Sequence, residues 1–127
     1  MIGLGSDLID IRRIEKTLLR FGERFKTRVF TDKEIKKCDK REERAACYAK
    51  RFAAKEAFSK ALGTGISNGI NFNEIIILNS KSGKPYINLS GQTKLLIDKR
   101  LRRKKAKISL SLSDETNYAV AFVTISV

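Results

Sequence analysis

Two carboxylate residues, Asp7 and Glu56, are placed where they could do chemistry. Asp7 stands among apolar residues, where a buried, unpaired carboxylate is costly; it is a helix cap, an ion-pair partner or a metal ligand. Glu56 precedes Lys60 by four residues on an Ala-rich stretch, so the simplest interpretation is a Glu–Lys pair on a helix. Two carboxylates from separate elements also suit Mg²⁺, which needs one or two protein carboxylates besides water and substrate phosphates.

The absence of histidine excludes several kinds of chemistry. With no His in the chain, Ser-His-Asp and Cys-His nucleophiles, His general bases and His-ligated zinc are impossible. Cys38 and Cys47 form neither a Cys-x-x-Cys redox pair nor a four-sulfur metal site. We expect two free thiols rather than one disulfide, because disulfides are rare in cytosolic proteins.

Two glycine turns next to lysines, Gly63-Thr64-Gly65 and Gly83-Lys84-Pro85, offer backbone amides to a phosphate. A helix end and a hairpin turn explain both without a ligand. Neither GxxxxGK[ST] nor GxGxxG is present, so ATP-type and dinucleotide sites are not supported.

The chain is strongly basic and its charge is unevenly placed. It has 27 Lys and Arg against 14 Asp and Glu, a net charge of +13. Residues 12–28 and 94–107 carry most of the excess. Two such concentrations favour a binding surface over solvated helix faces. The partner is then nucleic acid, an anionic membrane, a phosphorylated small molecule or an acidic protein.

The length and the N-terminus indicate a simple organisation. The 127 residues predict a single domain, 1–127. No stretch approaches the ~20 apolar residues of a membrane span, and the N-terminus lacks the basic n-region of a signal peptide. We therefore expect a cytoplasmic protein.

Apolar periodicity predicts the elements that must position these residues. In the first half, residues 2–9 form a strand, 11–20 an amphipathic helix, and the Thr31–Glu34 capping box opens a further helix. Residues 42–62 form a long buried helix that stops at Gly63.

The second half has strand periodicity interrupted by one short helix. The predicted elements are a strand within 70–79, a turn at 81–85, a strand at 86–89, a helix at 92–101, a strand at 108–113 and, after a turn, a strand at 118–127. This order predicts an α+β fold, a mainly antiparallel sheet packed with helices that include one long central helix.

Four segments of the chain resemble a known family. They are Gly3–Ile9 with Arg13-Ile14-Glu15, Lys50–Ile66, Gly83-Lys84-Pro85 and Tyr118–Ala121. The pattern Phe52-x-x-Lys55-Glu56-x-x-x-Lys60, followed by Gly-Thr-Gly, is the most specific. Together they resemble the holo-acyl-carrier-protein synthases, small bacterial 4′-phosphopantetheinyl transferases, over essentially the whole chain.

The resemblance implies a reaction and a site. The reaction moves 4′-phosphopantetheine from coenzyme A to a serine of apo-acyl carrier protein in fatty acid biosynthesis, leaving 3′,5′-ADP. Asp7 and Glu56 hold magnesium, and Lys60 steadies the transferred group. The implied coenzyme A residues are Arg51, Lys60, Gly63, Thr64, Gly65, Lys84 and Pro85, with Arg51 near the nucleotide phosphates.

The resemblance also implies partners. The acidic carrier protein docks on Arg13, Arg20, Arg24 and Arg28, and the active unit is a homotrimer with sites at the subunit boundaries. Many relatives place a His where this chain has Ser113-Asp114-Glu115, so Asp114 is a further candidate at the coenzyme A site. With no His available, Glu56 is the best candidate to accept the serine proton.

A small nucleic-acid-binding module using residues 94–107 is the rival hypothesis. Charge alone supports it equally well. The aromatic residues, however, occupy predicted helix-core positions, and no stacking platform or groove-reading motif is present. We therefore expect neither a nucleic acid nor a membrane as partner.

Overall fold

The computed structural model describes residues 3–63, 69–101 and 105–127. Its elements are β1 (Gly3–Asp10), α1 (Ile11–Phe21), α2 (Glu23–Val29), α3 (Asp32–Asp39), α4 (Arg44–Leu62), a 3₁₀ turn (Phe72–Glu74), β2 (Ile75–Asn79), β3 (Pro85–Leu89), α5 (Gly91–Arg100), β4 (Lys107–Asp114) and β5 (Tyr118–Ser126). The α+β prediction is confirmed, and all of the strand pairs described are antiparallel. In the described ranges, no helix is both long and apolar enough to cross a membrane.

The strands form two sheets around the long helix. One sheet has the order β1-β5-β4, and β2 and β3 form a separate hairpin. Helix α4 packs on β1 and β5, and its buried alanines allow a close approach. At Gly5 the approach is so close that an added Cβ would lie 2.0 Å from the carbonyl oxygen of Ala57. Strand β1 therefore rests directly on the backbone of α4.

The helix ends confirm two of the predicted caps and correct a third. Thr31 and Glu34 form the predicted capping box, and Gly63 ends α4 in the left-handed conformation with φ 77°. Asp10 caps α1 by accepting a hydrogen bond from the Arg12 backbone, so the cap interpretation of Asp7 is wrong. Gly22, with φ 53°, divides the basic 12–28 segment into α1 and α2.

The strand predicted within 70–79, at residues 75–78, is confirmed as β2. The 3₁₀ turn precedes it, and Glu74 in this turn holds the start of α5. Its carboxylate accepts hydrogen bonds from the backbone amides of Gln92 and Thr93 and from the side chain of Asn71. The strand begins at Ile75.

The two cysteines are joined, which corrects the expectation of two free thiols. Cys38 and Cys47 form a disulfide with their Cα atoms 5.4 Å apart. The short connection at residues 40–43 turns the chain back on itself, so the end of α3 lies against the start of α4. Two free thiols were expected from the cellular compartment alone, and the compartment does not indicate how close Cys38 and Cys47 lie in the fold.

Candidate active site

Asp7 lies on the face of β1 that meets α4. Side chains alternate along a strand, so Asp7 shares this face with Gly3 and Gly5, whose missing side chains bring the strand close to the helix. Its side chain is 16% exposed, and Oδ1 lies 3.1 Å from Nζ of Lys60. Lys60 also donates to the carbonyl oxygen of Ser6 at 3.1 Å. Asp7 is thus an ion-pair partner at the strand–helix contact.

Glu56 lies one turn before Lys60 on α4 and is half-buried. Burial raises the pKa of Glu56, the nearby Asp7 carboxylate raises it further, and Lys60 opposes both effects. The ammonium of Lys60 pairs with Asp7, and among the described residues Asp7 is the one carboxylate within 4.0 Å of it. The simple Glu56–Lys60 helix pair is therefore not what the structure contains.

The two carboxylates fit a hard cation. Asp7 influences the pKa of Glu56 through its charge, and a cation between them would offset that repulsion. Within the described part of the chain, no group of three or more His, Cys, Asp or Glu residues is arranged to hold a metal. This sparse oxygen set suits Mg²⁺, which retains several waters, and does not suit an ion that requires a full set of protein ligands.

Arg51 marks a second site on α4. It lines a cavity of about 490 Å³ together with Asn79, Gly83 and Pro85, and the residue is only 5% exposed. Its guanidinium donates to Oδ1 of Asn79 at 3.1 Å and to the carbonyl oxygen of Cys47 at 3.3 Å. Its Nε is buried and has no hydrogen-bond partner.

Further cations surround Arg51. Burial and the charges of Arg51, Arg41 and Lys50 lower the pKa of Lys37, and burial lowers the pKa of Arg51. Among the residues that the structure describes, no carboxylate lies within 4.0 Å of the Lys37 or Arg51 side-chain nitrogens. Such a cluster is suited to an anion carrying more than one charge.

Lys37, Arg41 and Asn79 were not predicted as site residues from the sequence. They come from α3, from the connection that follows it and from β2. Each looks like an ordinary surface residue in its own segment, and only the tertiary fold brings them to Arg51. The local sequence carries no signal that could have linked them.

The predicted coenzyme A residues fall into separate groups. Pro85 lines the Arg51 cavity, and Asp114 pairs at 3.3 Å with Lys50, which also lines it. Lys84 lines a neighbouring cavity. Lys60 is with Asp7, and Gly63 is exposed at the end of α4. Thr64 and Gly65 lie outside the described residues.

The predicted carrier-protein residues also divide. Arg24 and Arg28 line a groove of about 1100 Å³ between α2 and residues 70–74, and Glu56 lines the same groove. We call this cavity the docking groove. Arg13 and Arg20 are exposed on α1 and do not line it. The structure therefore places two of the four arginines in one cavity with the candidate catalytic carboxylate.

Comparison with known proteins gives consistent matches along the chain. The model of the 4′-phosphopantetheinyl transferase superfamily matches residues 3–123. A holo-[acyl-carrier-protein] synthase of Sinorhizobium fredii is 52% identical over 126 residues, covering 98% of this chain and 91% of that relative. One of Brucella ovis is 51% identical over 126 residues, covering 98% and 94%.

Solved structures show the same similarity. The crystal structure of holo-[acyl-carrier-protein] synthase from Neisseria meningitidis has a TM-score of 0.89 and 35% identity, covering 99% of both chains. The Helicobacter pylori synthase in complex with coenzyme A has a TM-score of 0.81 and 33% identity, covering 97% of this chain and 99% of that one.

Proposed function

Because the chain belongs to the 4′-phosphopantetheinyl transferase superfamily, we propose that it is a holo-acyl-carrier-protein synthase of fatty acid biosynthesis. It transfers 4′-phosphopantetheine from coenzyme A to a serine of apo-acyl carrier protein and releases 3′,5′-ADP. One observation carries this conclusion beyond family membership. Asp7, Glu56 and Lys60 meet at the β1–α4 contact, and Glu56 also lines the groove that holds Arg24 and Arg28.

Asp7 and Glu56 would hold Mg²⁺ in this enzyme. The ion would offset negative charge on the pyrophosphate of coenzyme A during transfer. The two neighbouring carboxylates support this assignment, since the charge of Asp7 raises the pKa of Glu56 and a bound cation would offset that repulsion.

Lys60 and Glu56 have distinct proposed roles. The ammonium of Lys60, held by Ser6 and Asp7, binds an oxygen of the transferred phosphoryl group. The serine oxygen forms a bond to that phosphorus as the bond to 3′,5′-ADP breaks. Glu56 accepts the serine proton.

The Arg51 cluster would bind the phosphates of coenzyme A. A buried guanidinium with an unpartnered Nε, surrounded by Lys37, Arg41 and Lys50, is costly unless an anion is bound there. Pro85 and the Lys50–Asp114 pair then contact the same ligand. Lys84, Gly63, Thr64 and Gly65 complete the proposed coenzyme A set.

The division of these residues supports a homotrimer with sites at subunit boundaries. Arg51 and Lys60 are nine positions apart on α4, which corresponds to about 180° around a helix. They therefore point to opposite sides, so a second copy is needed to bring both groups to one coenzyme A. The outer face of the β1-β5-β4 sheet offers an apolar contact surface, with Leu4, Leu8 and Phe122 exposed by 62%, 67% and 50%.

The docking groove and α1 would receive the acidic carrier protein. Arg24 and Arg28 meet acidic side chains within the groove, while Arg13 and Arg20 extend the positive surface along α1. A cytoplasmic, single-domain enzyme completes the proposal. The nucleic-acid alternative gains no support, since the similar proteins found are holo-[acyl-carrier-protein] synthases.

Mass spectrometry of apo-acyl carrier protein tests the proposed function directly. After incubation with this protein, coenzyme A and Mg²⁺, we expect the carrier protein to gain one phosphopantetheine, and we expect no gain in EDTA. An unchanged mass with Mg²⁺ present would contradict the function. Equal modification with and without EDTA would contradict only the metal assignment. Light scattering on a size-exclusion column tests the trimer.

A further inference from the structure

Lys55, the residue before Glu56, points away from the active site and into the core. Its side chain is fully buried. Its ammonium donates to the carbonyl oxygen of Val29 at 2.7 Å, to Oε1 of Glu34 at 2.7 Å and to the carbonyl oxygen of Phe72 at 2.9 Å. All three donors of the ammonium therefore have an acceptor.

Glu34 extends this connection to two more segments. It is also fully buried, and its Oε1 accepts from the backbone amide of Thr31 at 3.0 Å. Its Oε2 accepts from the backbone amide of Ile77 at 3.2 Å. The Lys55–Glu34 pair thus joins α4 to the end of α2, the start of α3, the 3₁₀ turn and β2.

Two of these contacts belong to the docking groove. Val29 is on the α2 side of the groove and Phe72 is on the side formed by residues 70–74. The backbone carbonyl oxygen of each accepts a hydrogen bond from the ammonium of Lys55. The neighbouring residue on α4, Glu56, lines the same groove. One ammonium therefore holds both sides of the groove to the helix that carries the candidate catalytic carboxylate.

Stability alone does not explain a charged pair at this position. Replacing a buried ion pair by apolar residues of similar volume is often neutral or stabilising. An apolar pair, however, cannot accept or donate the directed hydrogen bonds that fix Val29 and Phe72 relative to α4. The hydrogen bonds of the charged pair therefore fix the distance between the two sides of the docking groove.

We propose that Lys55 and Glu34 are a positioning pair that sets the width of the docking groove and thereby the affinity for the carrier protein. The inference rests on the proposed function, because it takes the acidic carrier protein as the occupant of the groove. Neither residue touches the substrates. Their effect is transmitted through the backbones of Val29 and Phe72.

The double variant Lys55→Met/Glu34→Met tests this inference. It fills the same volume and leaves no unpaired buried charge. We expect fluorescently labelled apo-acyl carrier protein to bind about tenfold more weakly, with the KM for the carrier protein raised in parallel. The kcat and the KM for coenzyme A should stay within about twofold of wild type, because neither chemistry nor the Arg51 cluster depends on the groove width.

Two further variants separate positioning from a merely structural role. Lys55→Arg, with Glu34 unchanged, retains a cation and its donors. Its loss of carrier-protein binding free energy should be at most half of the loss in the double-Met variant. Arg24→Glu should weaken carrier-protein binding less in the double-Met background than in wild type, because residues that act through one groove are not additive.

Several outcomes would overturn the proposal. One is a folded double variant that binds the carrier protein as tightly as wild type; another is a double variant that is unfolded at assay temperature. The others are equal impairment of kcat and of both KM values, and effects of Arg24→Glu and the double variant that simply add. Wild type is measured alongside. If wild type transfers no phosphopantetheine, the proposed function fails; if it transfers normally, any of these outcomes counts against the positioning pair alone.

Discussion

Nζ of Lys60 lies 3.1 Å from Oδ1 of Asp7, although 53 positions separate the two residues in the chain. The contact joins an edge strand to the central helix and places a positive charge beside the two carboxylates that suit a metal. The site is therefore aligned by the packing of β1 on α4.

Glu56→Gln should leave the fold intact and nearly abolish transfer. The amide keeps the size of the side chain but neither accepts a proton nor contributes a charge to the metal site. Single-turnover mass spectrometry of the carrier protein measures transfer, and a thermal melt controls for folding. Near-normal turnover in this variant would remove Glu56 from both roles.

Arg24→Glu should raise the KM for the carrier protein steeply at low salt, with little change in coenzyme A binding. Charges at the rim of an interface act mainly on the association rate and are screened by salt. Lys33→Glu is the matched control, since it makes the same charge change at an exposed position of α3, outside both the docking groove and α1. Equal effects of the two variants would show that net charge, rather than the groove, governs docking.

Arg51→Met should weaken coenzyme A binding at least about tenfold, because a charge-assisted contact to phosphate is lost. It should not lower the melting temperature of the ligand-free protein, since the guanidinium is buried with an unpartnered Nε. Calorimetric titration and a thermal melt measure the two effects, with the exposed Lys36→Met as control. A large loss of stability with unchanged coenzyme A affinity would assign Arg51 to the core.

Glu74→Gln should destabilise the protein by about 1 kcal/mol at neutral pH, because Glu74 caps α5 with a negative charge. Hydrogen bonds, first from Asn71 and then from Thr93 and Gln92, lower the pKa of Glu74. The charged form therefore stabilises the folded state fully above the ordinary value of 4.5, and this stabilisation is lost as the pH falls through the lower folded-state pKa.

The urea unfolding free energies of wild type and Glu74→Gln should accordingly converge in acid. Measurements at neutral pH and at about pH 3 test this. The exposed Glu42→Gln serves as the control and should show a small difference at both pH values. A Glu74 difference that does not depend on pH would mean that the cap acts without its charge.

Gly5→Ala should reduce both the stability of the fold and the rate of phosphopantetheine transfer. The added methyl group would meet backbone atoms of Ala57 and Ala61 at 2.0 Å and 2.7 Å, and backbone cannot move aside as a side chain can. We expect a loss of about 1–3 kcal/mol, and a displaced β1 carries Asp7 away from Lys60. Ser6→Ala, on the opposite face of β1, should be tolerated. Wild-type behaviour of Gly5→Ala would mean that the strand does not depend on this close contact.

The elements were predictable because their signals are local. Capping at Thr31, the glycine at the end of α4 and alternation in β4 each depend on a few neighbouring residues. Asp7 was one possible helix cap by sequence, and the structure shows that the cap of α1 is Asp10, three residues later. Helix α2 (Glu23–Val29) was not predicted, since the helical spacing was followed only as far as residue 20.

The contacts that form the candidate site could not be predicted from neighbouring residues in the sequence. The joint role of Asp7 and Glu56 came from family resemblance, since periodicity does not reveal which strand lies on which helix. The Arg51 cluster, the disulfide and the buried Lys55–Glu34 pair all depend on contacts between distant segments. Lysine and glutamate in a helix normally predict an exposed face, so their burial here could not be recognised.

The pairing of β1 with β5 joins two segments that are made at different times during synthesis. Asp7 lies opposite Ala121 in this pairing, so β1 acquires this neighbour only after nearly all of the described chain has been synthesised. The helix that carries Glu56 and Lys60 can form long before that moment, because its contacts are local. A nascent chain that stops short of β5 therefore has helix α4, whereas the strand that carries Asp7 still lacks its hydrogen-bonded neighbour.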